Sequence, residues 1–410
     1  MIHALDGPVM PYAWGSRSEL PRLLGRVPSG QPQAELWIGA HPGGPARLVP
    51  PVGDADTLGT LIEQDPARHL GSALASAYGR LPYLLKILAI EQPLSLQAHP
   101  SLEQARRGFL REDALGIEPE STRRNYRDDN HKPELLYALE PVDALCGFRS
   151  HDDALAQLGA FGLERPESPL REAVRAFRLD AGPRSYERMF RSLFELDRPA
   201  LEAALAVVRR SAQAHAPDSG LPEPPDFSRL ADWVLRLWDV YGSDPGLLAV
   251  LLLRLVRLEP GEALFLPAGR LHAYLSGLGV EVMAASDNVL RGGLTPKHVD
   301  VDELCHVLDF RPTEPDLLPG VPAEADARAR VFRAAASEFE LWMIDLPGDA
   351  VPLEILSPSL LVVLSGHIDI AQAGQRLGFD RGGQAFCSWS VEPTLLRGKG
   401  RLAVASVPRA

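Results

Sequence analysis

The strongest constraint on this chain is a change of pattern along its length. Residues 1 to about 149 carry short apolar runs broken by Pro and Gly, as in Glu35-Leu36-Trp37-Ile38-Gly39-Ala40-His41-Pro42-Gly43-Gly44-Pro45. Such runs read as strands joined by irregular loops. From about 150 to 250 the apolar spacing becomes helical, in Pro199-Ala200-Leu201-Glu202-Ala203-Ala204-Leu205 and in Leu230-Ala231-Asp232-Trp233-Val234-Leu235-Arg236-Leu237-Trp238. Pro199 suits a helix start and Ser228 an N-cap, and the Trp and Leu stripe is a core stripe. From Leu258 the strand pattern returns, and the tail alternates, as in Leu360-Leu361-Val362-Val363-Leu364-Ser365-Gly366-His367-Ile368. The order implies a mainly β protein with a helical insertion. Residues 1–149 and 250–312 are expected to form one β domain, 150–249 a helical domain, and 313–410 a second β domain.

Charge and cysteine usage narrow the function classes. A net charge of -12 repels nucleic acid and anionic lipid, so any anionic substrate must meet a local basic cluster. Hydrophobic content of 45% with 23% charged residues is that of a globular chain. The longest apolar stretch, 246–253, is too short to span a bilayer, and residues 1–8 show no secretory pattern. Cys146, Cys305 and Cys387 are far apart and form no C-x-x-C pair, which argues against a disulfide framework or a thiolate zinc site. The expectation is a cytoplasmic protein with buried thiols and no membrane or nucleic-acid partner. A monomer is expected.

Chemistry concentrates in a few segments. Gln97 and His99 are two apart in the apolar run Leu94-Ser95-Leu96-Gln97-Ala98-His99, so on a strand they share a face. With Glu134, in His131-Lys132-Pro133-Glu134, and His272, in His272-Ala273-Tyr274, they offer two imidazoles, a carboxylate and a carboxamide. That set suits one divalent metal. Gly261, Pro267, Gly269 and His272 fit the pattern G-x5-P-x-G-x2-H, which resembles the second motif of the cupin jelly roll: a tight turn, then a strand that opens on an inward histidine. The segment 100–109 between the ligand candidates reads as a helix, with Ser101 as N-cap and Gln104 completing a capping box.

Longer runs make the resemblance specific. Tyr12-Ala13-Trp14-Gly15-Ser16, Glu35 to Pro42, Leu81-Pro82-Tyr83-Leu84-Leu85-Lys86-Ile87-Leu88, Gln97-Ala98-His99-Pro100, Asp128-Asp129-Asn130-His131-Lys132-Pro133-Glu134 and the run from Met283 to Lys297 resemble type I phosphomannose isomerase, in the family order. The resemblance implies a cupin catalytic domain, a helical domain and a second, C-terminal cupin-like domain; His367 there has no companion ligand, so that domain is expected to hold no metal. It also implies one Zn2+ per chain on Gln97, His99, Glu134 and His272, a sugar phosphate as substrate, and Arg291 as the catalytic arginine. Aldose–ketose isomerisation moves a proton between C2 and C1 through an enediolate. It needs an acid/base beside both carbons and positive charge at the developing oxyanion. Arg291, permanently protonated, suits the second task. For the first, His41, Lys132 and Glu281 all remain candidates. Lys86, Ser95, Lys132 and Lys297 are the groups available to a phosphate, and the resemblance places Trp14, Tyr274 and Asp287 in the substrate site.

Two other classes compete. A cupin oxygenase would bind iron with two histidines and one carboxylate and leave positions open; an amide fourth ligand argues against it. A non-catalytic sugar-binding cupin would not need Lys132 or Arg291.

Overall fold

The computed structural model describes residues 1–214, 226–323, 326–355 and 358–408. Two large antiparallel sheets and a helical layer account for them. Strand Tyr83–Ile90 shows how the layers stack. It is buried along its whole length because both faces are covered. Leu88 and Ile90 point into an apolar cluster with Leu136, Ala144, Cys146, Leu264 and Tyr274. Leu85, Ile87 and Ala89 point the other way, against Leu360, Val362, Phe386, Ala403 and Ala405 of the C-terminal region. Alternation within one strand thus assigns one face to a sandwich interior and the other to the seam between sandwiches.

The first sandwich is closed by the long strand His272–Ala284. Its beginning pairs with Val142–Phe148 and with Gln97, and its end pairs with Tyr83–Ile90 and Glu134–Ala138. The strand changes layers at a bulge between Tyr274 and Ser276, followed by Gly277 at φ 124°. A Cβ at Gly277 would lie 2.5 Å from the Pro141 carbonyl oxygen, so the crossing requires glycine. The outer face of the Val142–Phe148 layer, through Leu145, Ala273 and Leu275, meets the helices of residues 151–249 in one continuous core.

The second sandwich encloses a separate apolar interior of Ile2, Val331, Ile344, Leu361, Val363, Ile368, Leu396, Leu402 and Val404. The mainly β architecture with a helical insertion is as expected, but the sheets do not divide where the sequence pattern does. Ile2–Asp6 pairs with Gln384–Cys387, and Arg47–Val52 follows it in the same sheet, so the N-terminal strands belong with the tail. Conversely, Asp316–Leu318 pairs with Ala263–Leu266 in the first sandwich. Strand pairing joins segments that no local pattern links.

Local signals hold more evenly. Helix Leu102–Ala114 carries the expected reciprocal capping box, the Ser101 hydroxyl accepting from the Gln104 N–H and the Gln104 side chain from the Ser101 N–H. Helix Arg198–Ala214 has Pro199 in its first turn. Ser228 is not an N-cap: the helix begins at Phe227, with Asp226 at its cap position and no side-chain capping bond. The Leu94–His99 run is strand only at Gln97–Ala98, where it pairs with Leu290–Arg291 and His272; the rest is held by single backbone bonds, such as Leu94 N–H to the Tyr274 carbonyl and Leu96 N–H to the Gly293 carbonyl. The stretch 246–253 is a short helix, Gly246–Ala249, and a 3-10 turn, Val250–Leu252, buried at the domain seam.

Candidate metal centre and active site

Three strands and one turn converge inside the first sandwich. Gln97 lies opposite His272 in one pairing and opposite Arg291 in the other, so Arg291, Gln97 and His272 form a row across one face. The turn Pro267-Ala268-Gly269 is tied to this row, since the Gly269 N–H donates to the His99 carbonyl at 2.8 Å. Gly269 sits at φ 78°, which only glycine adopts without strain. Glu134 opens its own strand, flanked in register by Leu266 and Met283.

His99, Glu134 and His272 are 1%, 3% and 1% exposed, and one ligand atom from each lies within 4.8 Å of the others. His99 Nε2 stands 3.2 Å from Glu134 Oε1, and His272 Nε2 stands 3.4 Å from Oε2. Bonds of ~2.0–2.1 Å to a tetrahedral zinc give ligand–ligand edges of about 3.4 Å, which these separations match. Each imidazole uses its other nitrogen on a backbone carbonyl: His99 Nδ1 on Asn288 at 2.7 Å and His272 Nδ1 on Arg270 at 2.9 Å. Both Nε2 atoms and Glu134 Oε2 are buried without a hydrogen bond. A neutral ring that donates from Nδ1 turns its Nε2 lone pair toward the carboxylate, an arrangement that is repulsive unless a cation sits between them. Burial also pushes the His99 pKa down to about 4 against the pull of Glu134, keeping the ring in its ligating form. The residues fit a divalent metal.

Charged groups surround this centre. Lys132 Nζ lies 3.1 Å from Glu134 Oε1. Burial raises the Glu134 pKa, but Lys132 and His99 outweigh it and hold the carboxyl well below its ordinary range. Deeper in, Lys86 Nζ bridges Glu35 at 3.2 Å and Glu281 at 3.3 Å, above the Trp37 ring. Burial works against the Lys86 charge, yet Glu35, Glu281 and Glu134 keep it protonated well above its usual range. Lys86 is therefore committed to buried carboxylates and is poorly placed as the phosphate contact expected from sequence. Glu281 responds oppositely: burial first, then the Glu134 charge, raise its pKa to about 7 despite Lys86. Tyr274 is fully buried beside it, and burial first, then the Glu281 charge, raise its phenol pKa.

The remaining sequence candidates fall around the same interior. His41 Nδ1 accepts from the Gly43 N–H at 3.1 Å, and its Nε2 faces Asp287 at 3.6 Å. Burial lowers its pKa, so the ring is neutral with its proton on the Asp287 side. Such a ring orients Asp287 better than it abstracts a proton. Trp14 stacks on Tyr12 and packs at the edge of the interior cluster. Arg291 donates to the Ser95 hydroxyl at 3.2 Å. Lys297 is exposed, and its pKa is lowered by Arg291, by burial and by Arg127. Among the described residues, Arg127, Arg291 and Lys297 form no ion pair.

Sequence reasoning missed Glu35, Arg127 and Asn288. Glu35 could have been found as the charged residue two before Trp37, on the same face of an apolar strand. Arg127 and Asn288 carry no local signal; only folding brings them here.

The family profile "Phosphomannose isomerase type I, catalytic domain" matches residues 2–151. Mannose-6-phosphate isomerase of Escherichia coli K12 is 37% identical over 403 residues, covering 98% of each chain. The chain belongs to the type I phosphomannose isomerase family. The human mannose-6-phosphate isomerase is 32% identical over 90% of this chain and 88% of its own. Among solved structures, a lysine-to-alanine mutant of phosphomannose isomerase from Salmonella typhimurium superposes over 100% of both chains with TM-score 0.88 and 34% identity. A zinc-bound mannose 6-phosphate isomerase does so over 100% of both with TM-score 0.87 and 34% identity. With the chain in this family and its His99, Glu134 and His272 cluster able to hold a metal, the isomerase reading is supported over both other cupin readings.

Proposed function

We propose that this protein interconverts D-mannose 6-phosphate and D-fructose 6-phosphate, with one zinc ion held by Gln97, His99, Glu134 and His272. The observation that carries the metal reading is the convergence of His99, Glu134 and His272, whose buried ligand atoms lie within 4.8 Å of one another, with both Nε2 atoms and Glu134 Oε2 unbonded. The ion, when bound, supplies a Lewis acid that polarises a substrate oxygen. The remaining work falls to side chains. Arg291, in the ligand row and anchored on Ser95, holds negative charge developing on the substrate oxygens. Lys132, at the Glu134 carboxylate, orients the same oxygens. We assign proton abstraction to Glu281, whose pKa of about 7 suits general acid–base work at neutral pH. Phosphate is captured by Lys297 and Arg127, like charges that no carboxylate neutralises among the described residues, together with the Ser95 hydroxyl. Such a cluster supplies the local positive field that an anionic substrate needs on a chain of net charge -12.

Three free, buried cysteines support a reducing, cytoplasmic setting, and we read the protein as a monomer. Among the described residues no helix is long and apolar enough to cross a membrane. A coupled assay on purified protein tests the function. Turnover of mannose 6-phosphate is expected, lost with chelator and restored by zinc. Absence of turnover in zinc-loaded protein overturns the isomerase reading; full turnover after complete metal removal overturns the metal assignment.

A further inference from the structure

One buried amide ties both halves of the site together. Asn288 is 0% exposed and stands three residues before Arg291. Its backbone carbonyl accepts the His99 Nδ1–H at 2.7 Å. Its side chain performs a separate task. Oδ1 accepts the N–H groups of Arg127 at 2.7 Å and Asp128 at 3.2 Å. Nδ2 donates to the carbonyls of Asp128 and Asn130, both at 2.8 Å, and lies 3.3 Å from Asp128 Oδ1. The carboxamide thus uses its full hydrogen-bonding capacity on one loop. Ser286 and Asp287 reinforce the junction by donating to the two oxygens of Asp128, at 2.8 and 2.7 Å. The loop held this way runs directly into Lys132, Pro133 and Glu134.

We propose that Asn288 is a positioning residue for the metal centre. Its carbonyl fixes the tautomer and tilt of His99, while its carboxamide fixes the loop that delivers Glu134 and Arg127. Two ligands from different segments, one just past the strand Gln97–Ala98 and one opening the strand Glu134–Ala138, are therefore brought to one point by a single side chain and its own backbone. The amide itself is required. Asn288→Asp keeps the volume but replaces a donor with an oxygen facing three acceptors, Asp128 O, Asp128 Oδ1 and Asn130 O, so the loop is repelled where it was held. The inference rests on the metal reading above but on no particular substrate.

The test is zinc affinity, measured by competition with a chromophoric chelator on the full chain, alongside melting temperature and steady-state kinetics. Asn288→Asp is expected to lose about 10- to 100-fold in zinc affinity, the range for changes to groups that orient a metal ligand. Its kcat should fall at limiting zinc and recover as zinc is raised. A folded Asn288→Asp protein with wild-type zinc affinity overturns the proposal, as does a lowered melting temperature with affinity unmoved. Should Asn288→Asp fail to fold, Ser286→Ala removes only the supporting bonds to Asp128, to the Asn130 carbonyl and from the Asn288 N–H. It should weaken zinc binding in the same direction by a few-fold, and unchanged affinity there overturns the proposal. If wild-type protein binds zinc and the variants lose it while no form turns over mannose 6-phosphate, the isomerase reading fails and the positioning role stands.

Discussion

The two sandwiches share an architecture and differ in what they bury. The C-terminal interior is largely apolar, from Ile2 and Val331 to Leu402 and Val404; the polar side chains buried in that region, such as Glu340, Gln372 and Thr394, are hydrogen-bonded to their neighbours, and its His367 is exposed on the surface against Asp380. The first interior encloses Glu35, Lys86, Lys132, Glu134, Glu281, His99 and His272, all under 10% exposed. Burying a charge costs several kcal/mol unless partners compensate it. Each carboxylate in the first interior has such a partner: Lys86 serves Glu35 and Glu281, and Lys132 serves Glu134. The lone pairs on His99, His272 and Glu134 are what the side chains leave uncompensated. One sandwich thus keeps its interior for stability, while the other gives up apolar volume to hold a cation.

Removing a ligand should separate the two most sharply. Glu134→Ala leaves two imidazoles and the neutral Gln97 carboxamide, removes the only anionic ligand and strips Lys132 of its partner, so zinc binding is expected to collapse. Turnover should fall by about 10³-fold or more, the several kcal/mol that a Lewis-acid metal provides. Metal analysis by atomic absorption and the coupled assay check it together; retained zinc with retained turnover would break the contrast between the sandwiches. A smaller but more selective effect is expected from Glu281→Gln. Zinc content should persist while kcat falls by about 10²-fold or more, as for loss of a general acid–base group. This variant also carries a pH signature. The Glu281 pKa is raised from 4.5 to about 7 in the fold, so between those values the folded state binds more protons than the unfolded state. The group's contribution therefore makes metal-free protein less stable as pH rises through that window. Denaturant unfolding at pH 5 and pH 7 should show that slope in wild type beyond what Glu281→Gln retains; equal slopes in the two proteins would remove Glu281 from its assigned role.

What the sequence made legible follows the range of each interaction. Gln97, His99 and His272 could be recognised because strand alternation and the Gly269 turn are local, and the capping box at Ser101 because it spans three residues. Glu134 could be offered as the carboxylate of the set, but only the family resemblance tied it to His99, since 35 residues separate them and nothing local connects them. The carboxylate partners of Lys86, offered from sequence as a phosphate contact, were not legible because they come from other strands: Glu281 sits opposite it in register, and Glu35 reaches in from beside Trp37. The sheet boundaries failed for the same reason. Ile2 pairs with Cys387, nearly the whole chain away, and no window of residues can reveal that pairing.

The mildest prediction concerns the C-terminal sandwich itself. Leu361 is 1% exposed within its apolar interior, and Leu361→Ala should cost about 2–5 kcal/mol of stability through lost burial and the cavity left behind. His367→Ala, at an exposed pair with Asp380, should change stability by no more than about 0.5 kcal/mol. Neither should shift zinc affinity. The seam between the sandwiches makes this a real test, because Leu360 and Val362, the neighbours of Leu361, pack against the back of the strand that carries Lys86. A cavity at Leu361 that loosened the seam would reach the metal centre through that strand and lower zinc affinity along with stability. Unfolding curves paired with chelator competition decide between the outcomes. Stability lost at constant zinc affinity would establish that the two interiors are energetically separate despite sharing a wall.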